Sequence, residues 1–263
     1  MTVNDKSEAQ LLARARDLLL RAEKGEVAYT PFLTPREQRM VREGLPFAGD
    51  ALLFAGGYES AERKRMYALP DYILGQEDAV RDELLGETFA ASLVPLLVKG
   101  SGYRELYHRD YLGAVLNLGV ERDAIGDLCV ISKNEAILFC DRTMADFLKT
   151  ELARVANDAV SLGDVTLPQD FDGGREFMPV SDTVAWPRAD AVVAALCNLS
   201  RERAQALFRA GLVEIDYEPL EKYDRDVAAG AVIAVRGHGK FIVRSLSDKT
   251  KKGRFRLLAD RYV

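Results

Sequence analysis

The chain has 263 residues, enough for one large domain or two to three small ones. Apolar residues make up 48% and charged residues 29%, a globular balance that excludes a long disordered chain. The net charge of −5 gives no overall pull toward a polyanion, so any nucleic-acid surface must be local.

Residues 7–24 space Leu11, Leu12, Ala15, Leu18 and Leu19 at helical intervals, and Gly25 closes the run. Thr34-Pro35-Arg36-Glu37 is a second start signal: Thr caps, Pro takes the first helical position, and Glu37 completes a capping box. That helix should end by Gly44. Residues 51–55 read as a short buried strand that runs into Gly56-Gly57-Tyr58-Glu59 and the basic cluster Arg63-Lys64-Arg65. The glycine pair suits a turn with a close backbone approach, but the Lys-Ser/Thr of a phosphate loop is absent. The cluster reads either as a solvated face or, with Tyr58, as a second RNA contact.

The middle of the chain has a regular rhythm. Strands are expected at 91–98, 127–131, 136–140 and 159–167, and helices at 108–118 and 143–155. The order β-α-β-β-α-β is the split-βαβ, ferredoxin-like arrangement. RNA-recognition domains use it, as do many unrelated proteins, and the aromatic strand motifs of true RNA-recognition domains are missing. Residues 170–174 read as a loop, and Trp186-Pro187 as a boundary.

From Arg188 the character changes. Residues 186–263 hold 15 Lys/Arg against 10 Asp/Glu, whereas the remainder holds 21 against 31. Within 236–256 eight basic residues meet one acid, Asp248, which suits a nucleic acid or merely a solvated basic tail. A helix opens at Arg188-Ala189-Asp190, with Val192, Val193 and Leu196 apolar, and ends at Asn198-Leu199. Ser200 caps the next helix, Glu202 suits its positive end, and Gly211 stops it. Arg201, Gln205 and Arg209 recur every four residues beside the apolar face of Ala204, Leu207 and Phe208, a stripe able to grip phosphates and base edges. Residues 212–215 form a short strand. Residues 231–236 and 240–244 form a hairpin tipped by Gly237-His238-Gly239. The candidate RNA-binding set is Arg188, Ser200, Arg201, Gln205, Arg209, Arg236, His238, Lys240 and Arg244, with His238 readable equally as a simple turn residue.

Catalytic readings are weak. His108-Arg109-Asp110 superficially resembles a kinase catalytic loop without the rest of that signature, and is better read as polar residues opening a helix. Asp164, Asp170 and Asp172 read as a solvated loop rather than paired catalytic carboxylates. Cys129, Cys140 and Cys197 lie far apart with no metal-ligand spacing, so no metal, cofactor or disulfide framework is expected. Apolar runs such as 90–98 are too short to span a bilayer and no signal-peptide pattern opens the chain, so a cytoplasmic protein without membrane contact, and a monomer, is expected.

The stretch Arg188-Ala-Asp190 … Ser200-Arg201-x-x-Ala204-x-x-Leu207-x-x-x-Gly211-x-Val213 … Gly230-x-x-Ile233-x-Val235 resembles the RNA-binding domain named after ribosomal protein S-four. It departs in one place: many members carry Asn-Gly where this chain has Asp216-Tyr217. Phe32-Leu-Thr-Pro-Arg36-Glu37, Gly56-Gly-Tyr-Glu59, Ala61-Glu-Arg-Lys-Arg65, His108-Arg-Asp-Tyr-Leu-Gly113 and Ile125-Gly126-Asp127 resemble the YlmH family. The resemblance implies an α+β protein in three parts: a helical region with a short strand at 1–85, a ferredoxin-like RNA-binding domain at 86–180, and a small α-α-β domain with a β-hairpin and basic tail at 186–263. It further implies a non-enzymatic partner of ribosomal RNA and the large ribosomal subunit, with transfer RNA as a further contact, in quality control of obstructed peptidyl-tRNA complexes. Two alternatives remain open: an RNA-modifying, pseudouridine-synthase-like enzyme or accessory, and a protein-binding scaffold linked to cell division.

Overall fold

The computed structural model describes residues 3–174, 176–220, 222–250 and 253–262. It is a mixed α+β architecture with three antiparallel sheets among these residues, and it divides into two compact units, Met1–Gly174 and Arg175–Val263.

The first unit opens with α1 (Val3–Ala22), β1 (Ala28–Tyr29), α2 (Pro35–Gly44), β2 (Leu52–Ala55) and β3 (Arg65–Ala68). The capping box forms as its sequence demands: Glu37 N donates to Thr34 Oγ1 at 3.3 Å, and Thr34 N donates to Glu37 Oε2 at 2.7 Å. Ala15, Leu18, Val41, Leu45 and Met66 form a small core against the sheet β1-β3-β2.

Next come α3 (Asp71–Leu74), α4 (Asp78–Ser92), β4 (Leu93–Gly100), α5 (His108–Asn117), β5 (Ile125–Val130), β6 (Glu135–Asp141), α6 (Arg142–Glu151), β7 (Arg154–Val155) and β8 (Asp158–Asp164). The sheet order is β5-β6-β4-β8-β7, with every adjacent pair antiparallel. Period-two alternation sends Leu96, Val98 and Leu138 to the face covered by Tyr111 and Val115 of α5 and Leu148 of α6. Leu93, Ile137 and Phe139 point to the other face, where Phe32, Tyr58 and Phe171 cover them. Burial on both faces explains why β4 and β6 read as nearly continuous apolar runs.

Several boundaries differ from expectation. Ala91 and Ser92 end α4 rather than beginning a strand, and α4 itself was invisible because Ser92 is its only buried residue. The helix expected to reach 155 stops at Glu151, where the chain turns into the β7–β8 hairpin through Ala156, which has positive φ.

The second unit contains β9 (Phe177–Val184), α7 (Ala189–Leu196), α8 (Arg201–Arg209), β10 (Val213–Ile215), β11 (Glu218–Pro219), β12 (Val232–Val235), β13 (Gly239–Lys249) and β14 (Phe255–Tyr262). Its six strands run β11-β10-β12-β13-β14-β9. Val192, Val193 and Phe208 of the helices bury against Ile233, Phe241, Val243 and Leu257 of the sheet. Each such side chain contributes roughly 1.5–3 kcal/mol by leaving water. Two strands correct the expected layout. The supposed basic tail continues β13 and then forms β14, and the last residues of the supposed middle domain, 177–180, begin β9, which pairs with β14 along all eight residues. The boundary therefore lies near 174, not between 180 and 186. Lys251 and Lys252 of the basic run lie outside the described residues.

Candidate nucleic-acid interface

Ser200 caps α8, its hydroxyl accepting from Arg203 N at 3.3 Å, so its Oγ serves the helix end. The four-residue repeat then brings Arg201 and Gln205 over one point, the fully buried carboxylate of Asp190 on α7. Arg201 Nη2 and Gln205 Nε2 each donate to Asp190 Oδ2 at 2.8 Å, and Arg188 Nε lies 3.4 Å from Oδ1. Burial pushes the Asp190 carboxyl up. Hydrogen bonds from Gln205 and Arg201, with the charges of Arg201 and Arg188, outweigh it and hold the carboxyl below its ordinary value. The start of α7 is fixed by backbone donation from Ala189 to Arg225 O and from Asp190 to Tyr223 O.

The stripe is thus divided in its duties. Gln205 spends an amide N–H on Asp190 and is only partly accessible. Arg201 is pinned at one nitrogen, yet its side chain remains 55% exposed. A guanidinium has five donors, so a fixed Arg201 still presents N–H groups to an outside phosphate. Arg209 is exposed in the last turn of α8.

The hairpin supplies the rest. Arg236 is exposed at the end of β12, and His238 sits between Gly237 and Gly239, both at positive φ. Lys240 and Arg244 lie on the sheet face opposite the helices, since the intervening Phe241 and Val243 point into the core. Aromatic rings not singled out by the sequence reading surround them. Lys240 Nζ is 4.8 Å from the Tyr217 ring centre and 4.9 Å from that of Tyr262. Arg244 lies 5.2 Å from the Phe177 centroid and pairs with Asp260 at 2.7 Å. The Asp216-Tyr217 departure proves conformationally conservative. Both residues have positive φ (53° and 65°), the geometry that Asn-Gly adopts in a two-residue hairpin turn, here joining β10 to β11. Asp216 Oδ1 accepts from Val232 N at 3.0 Å, and the strained Tyr217 brings its ring to Lys240.

The expected second contact is corrected. Arg65 is 1% exposed, ion-paired to Asp141, bonded to Ser92 O at 3.1 Å and stacked 4.6 Å from the Phe32 centroid, so it is a core residue. Arg63 gives its guanidinium to the backbone oxygens of Ile125, Phe32 and Arg122. Burial pushes the Arg63 pKa down. Tyr58 donates to Asp127 Oδ2 at 2.6 Å and packs 5.1 Å from Phe139, and burial followed by the Asp127 charge drives its phenol far up. Lys64 Nζ bonds Glu59 O at 3.0 Å. Asp127, which also accepts from the backbone N–H groups of Glu62 and Arg63, organises this loop. The solvated-cluster reading fails at Arg63 and Arg65, whose guanidiniums are matched to backbone oxygens and a carboxylate distant in sequence, while Lys64 bonds the nearby Glu59 O. The close approach expected at the glycines is internal: a Cβ on Gly57 would stand 2.5 Å from the Phe139 ring.

His108 opens α5, and partial desolvation followed by the Arg122 charge lowers its pKa. Asp110 accepts from Tyr107 N at 3.0 Å as an N-terminal partner. Among the described residues no cluster of His, Cys, Asp and Glu is arranged to hold a metal ion, and no helix is long and apolar enough to cross a membrane.

Residues 87–169 match the family model described as "Putative RNA-binding domain in YlmH". Over 239 residues the chain is 31% identical to the ribosome-associated protein quality control protein P2 of Bacillus subtilis, covering 91% of this chain and 89% of that protein. Among solved structures, the cell division protein ylmH from Streptococcus pneumoniae aligns with 18% identity and a TM-score of 0.49, over 65% of this chain and 97% of that one.

Proposed function

The chain belongs to the YlmH family, and on that premise we propose that it binds ribosomal RNA of the large subunit in ribosome-associated quality control of obstructed peptidyl-tRNA complexes. The observation that carries this reading is the Asp190 node. A buried carboxylate holds Arg201 and Arg188 in place while leaving Arg201 half exposed, and Arg209 stands on the same helix. Fixed guanidiniums lose less freedom on binding a phosphate than mobile ones, which suits recognition of a folded RNA backbone. The second unit is assigned as an S-four-type RNA-binding domain and the sheet of β4 to β8 as a ferredoxin-like domain. The protein acts by binding, without catalysis of its own. Large subunits carrying peptidyl-tRNA are the expected partner, with transfer RNA as a further contact, and the protein works as a cytoplasmic monomer.

The test uses Arg209→Ala with Arg236→Ala, which leaves the Asp190 node intact. Co-sedimentation with large ribosomal subunits across a salt series should weaken, and the slope of log affinity against log salt should fall by about two. An unchanged slope removes these arginines from the interface. A new pseudouridine in ribosomal RNA that requires the protein would replace the binding reading with a catalytic one.

A further inference from the structure

Residues 101–107, between β4 and α5, present the most exposed large hydrophobic side chain of the described residues: Tyr103 is 94% exposed. Leaving a ring of that size in water forgoes burial energy, and a mobile loop would account for it cheaply. This loop is instead fastened at both ends. Ser101 N donates to the buried carboxylate of Asp158 at 3.0 Å, and its hydroxyl bonds the other oxygen of that group. Tyr103 N donates to Ser101 Oγ at 3.2 Å. Gly100 and Asn134 exchange hydrogen bonds at 2.7 and 3.0 Å, Leu106 N donates to Lys133 O at 2.8 Å, and the Leu106 side chain is buried in the core. Between these anchors Tyr103 and Arg104 stand in solvent.

Cations flank the ring, with Asp110 nearby bonded to Tyr107 N. Arg104 and Lys133 are exposed, the latter joined to the loop through its backbone, and Arg109 lies 5.6 Å from the half-exposed Tyr107 ring. Glu105 is the one acid within the loop. Rings interleaved with cations on a rigid support are the pattern that stacks unpaired bases while holding the adjacent phosphates. The sheet face that an RNA-recognition domain uses for stacking is unavailable here, because Phe32, Tyr58 and Phe171 cover it.

We propose that the 101–107 loop is a stacking platform for unpaired nucleotides of RNA, with Tyr103 against a base and Arg104 and Lys133 on phosphates. The proposal rests on the RNA-binding reading and assigns a contact element within residues 87–169. The full-length protein is titrated against a labelled oligouridine and, separately, a blunt RNA duplex. Tyr103→Ala should weaken oligouridine binding by about five- to a hundredfold, with Tyr103→Phe within about twofold of the parent. Neither change should alter duplex binding or the salt slope. Arg104→Ala with Lys133→Ala should lower the single-strand slope by about 1.4. Photo-cross-linking of 4-thiouridine RNA should label the 101–107 peptide. Equal affinity of the parent and Tyr103→Ala for oligouridine, or binding of duplex alone, overturns the loop assignment and leaves RNA binding standing. Binding of neither RNA by the parent overturns both. A loop peptide that cross-links in cells to a protein instead of RNA also overturns it.

Discussion

Asp190→Asn isolates what the buried carboxylate does. The substitution keeps the side chain's shape and removes its charge. In the parent, Arg201 and Gln205 each donate to it at 2.8 Å, and Arg188 adds charge at 3.4 Å. Hydrogen bonds to a charged group contribute about 1.5–3 kcal/mol each. Arg201 is half exposed, so water screens its share, and the variant should lose about 2 kcal/mol near neutral pH. The pH dependence carries the sharper signature. The folded carboxyl titrates below its ordinary value of 3.8, so its stabilisation is complete above that value and is lost as pH falls through the lower, folded one. Asparagine does not titrate. The gap between parent and variant should be widest near pH 7 and close progressively below about pH 4. Urea unfolding followed by fluorescence reads it directly, because Trp186 is the sole tryptophan and packs 5.5 Å from Phe255 in the same unit. A gap as large at about pH 3 as at pH 7, or none at either, refutes the account of Asp190 as an ionised node.

Gly57→Ala combines a positive φ of 97° with a Cβ 2.5 Å from the buried Phe139 ring, whereas Gly25→Ala meets only a φ of 87° with nothing within 4 Å. Calorimetry should show a loss of about 2–3 kcal/mol and several degrees of Tm for the first, and about 1 kcal/mol for the second. Arg65→Ala should cost about 3 kcal/mol, the low end for a broken buried pair, because Asp141 keeps 20% exposure. The folded fraction of that variant should bind RNA with parental affinity in a filter assay, since Arg65 faces the core.

Features that depend on neighbours in sequence were legible without coordinates. Thr34 and Ser200 cap the helices they were expected to cap, because a cap is decided within four residues. The apolar faces of α7 and α8 followed from spacing, and so did β4, α5, β5, β6, α6 and β8 of the middle elements, but not the extra strand β7. The cation inventory of the second unit was likewise available from composition. Its disposition was not. Arg201 and Gln205 share Asp190 only because α7 and α8 pack together, and Arg65 leaves the basic triplet for the core only because Asp141 waits 76 residues away. The pairing of β9 with β14 joins segments more than 70 residues apart, and the mostly exposed β9 carries no alternation that could announce it. Tyr103 stands at the tip of an anchored loop by virtue of Asp158, Asn134 and Lys133, none adjacent to it in the chain. The sequence by itself therefore determined the local elements and the charges this protein carries. The tertiary structure alone decided which charges are spent inside and which remain for RNA, because burial and partner geometry arise only once distant segments meet.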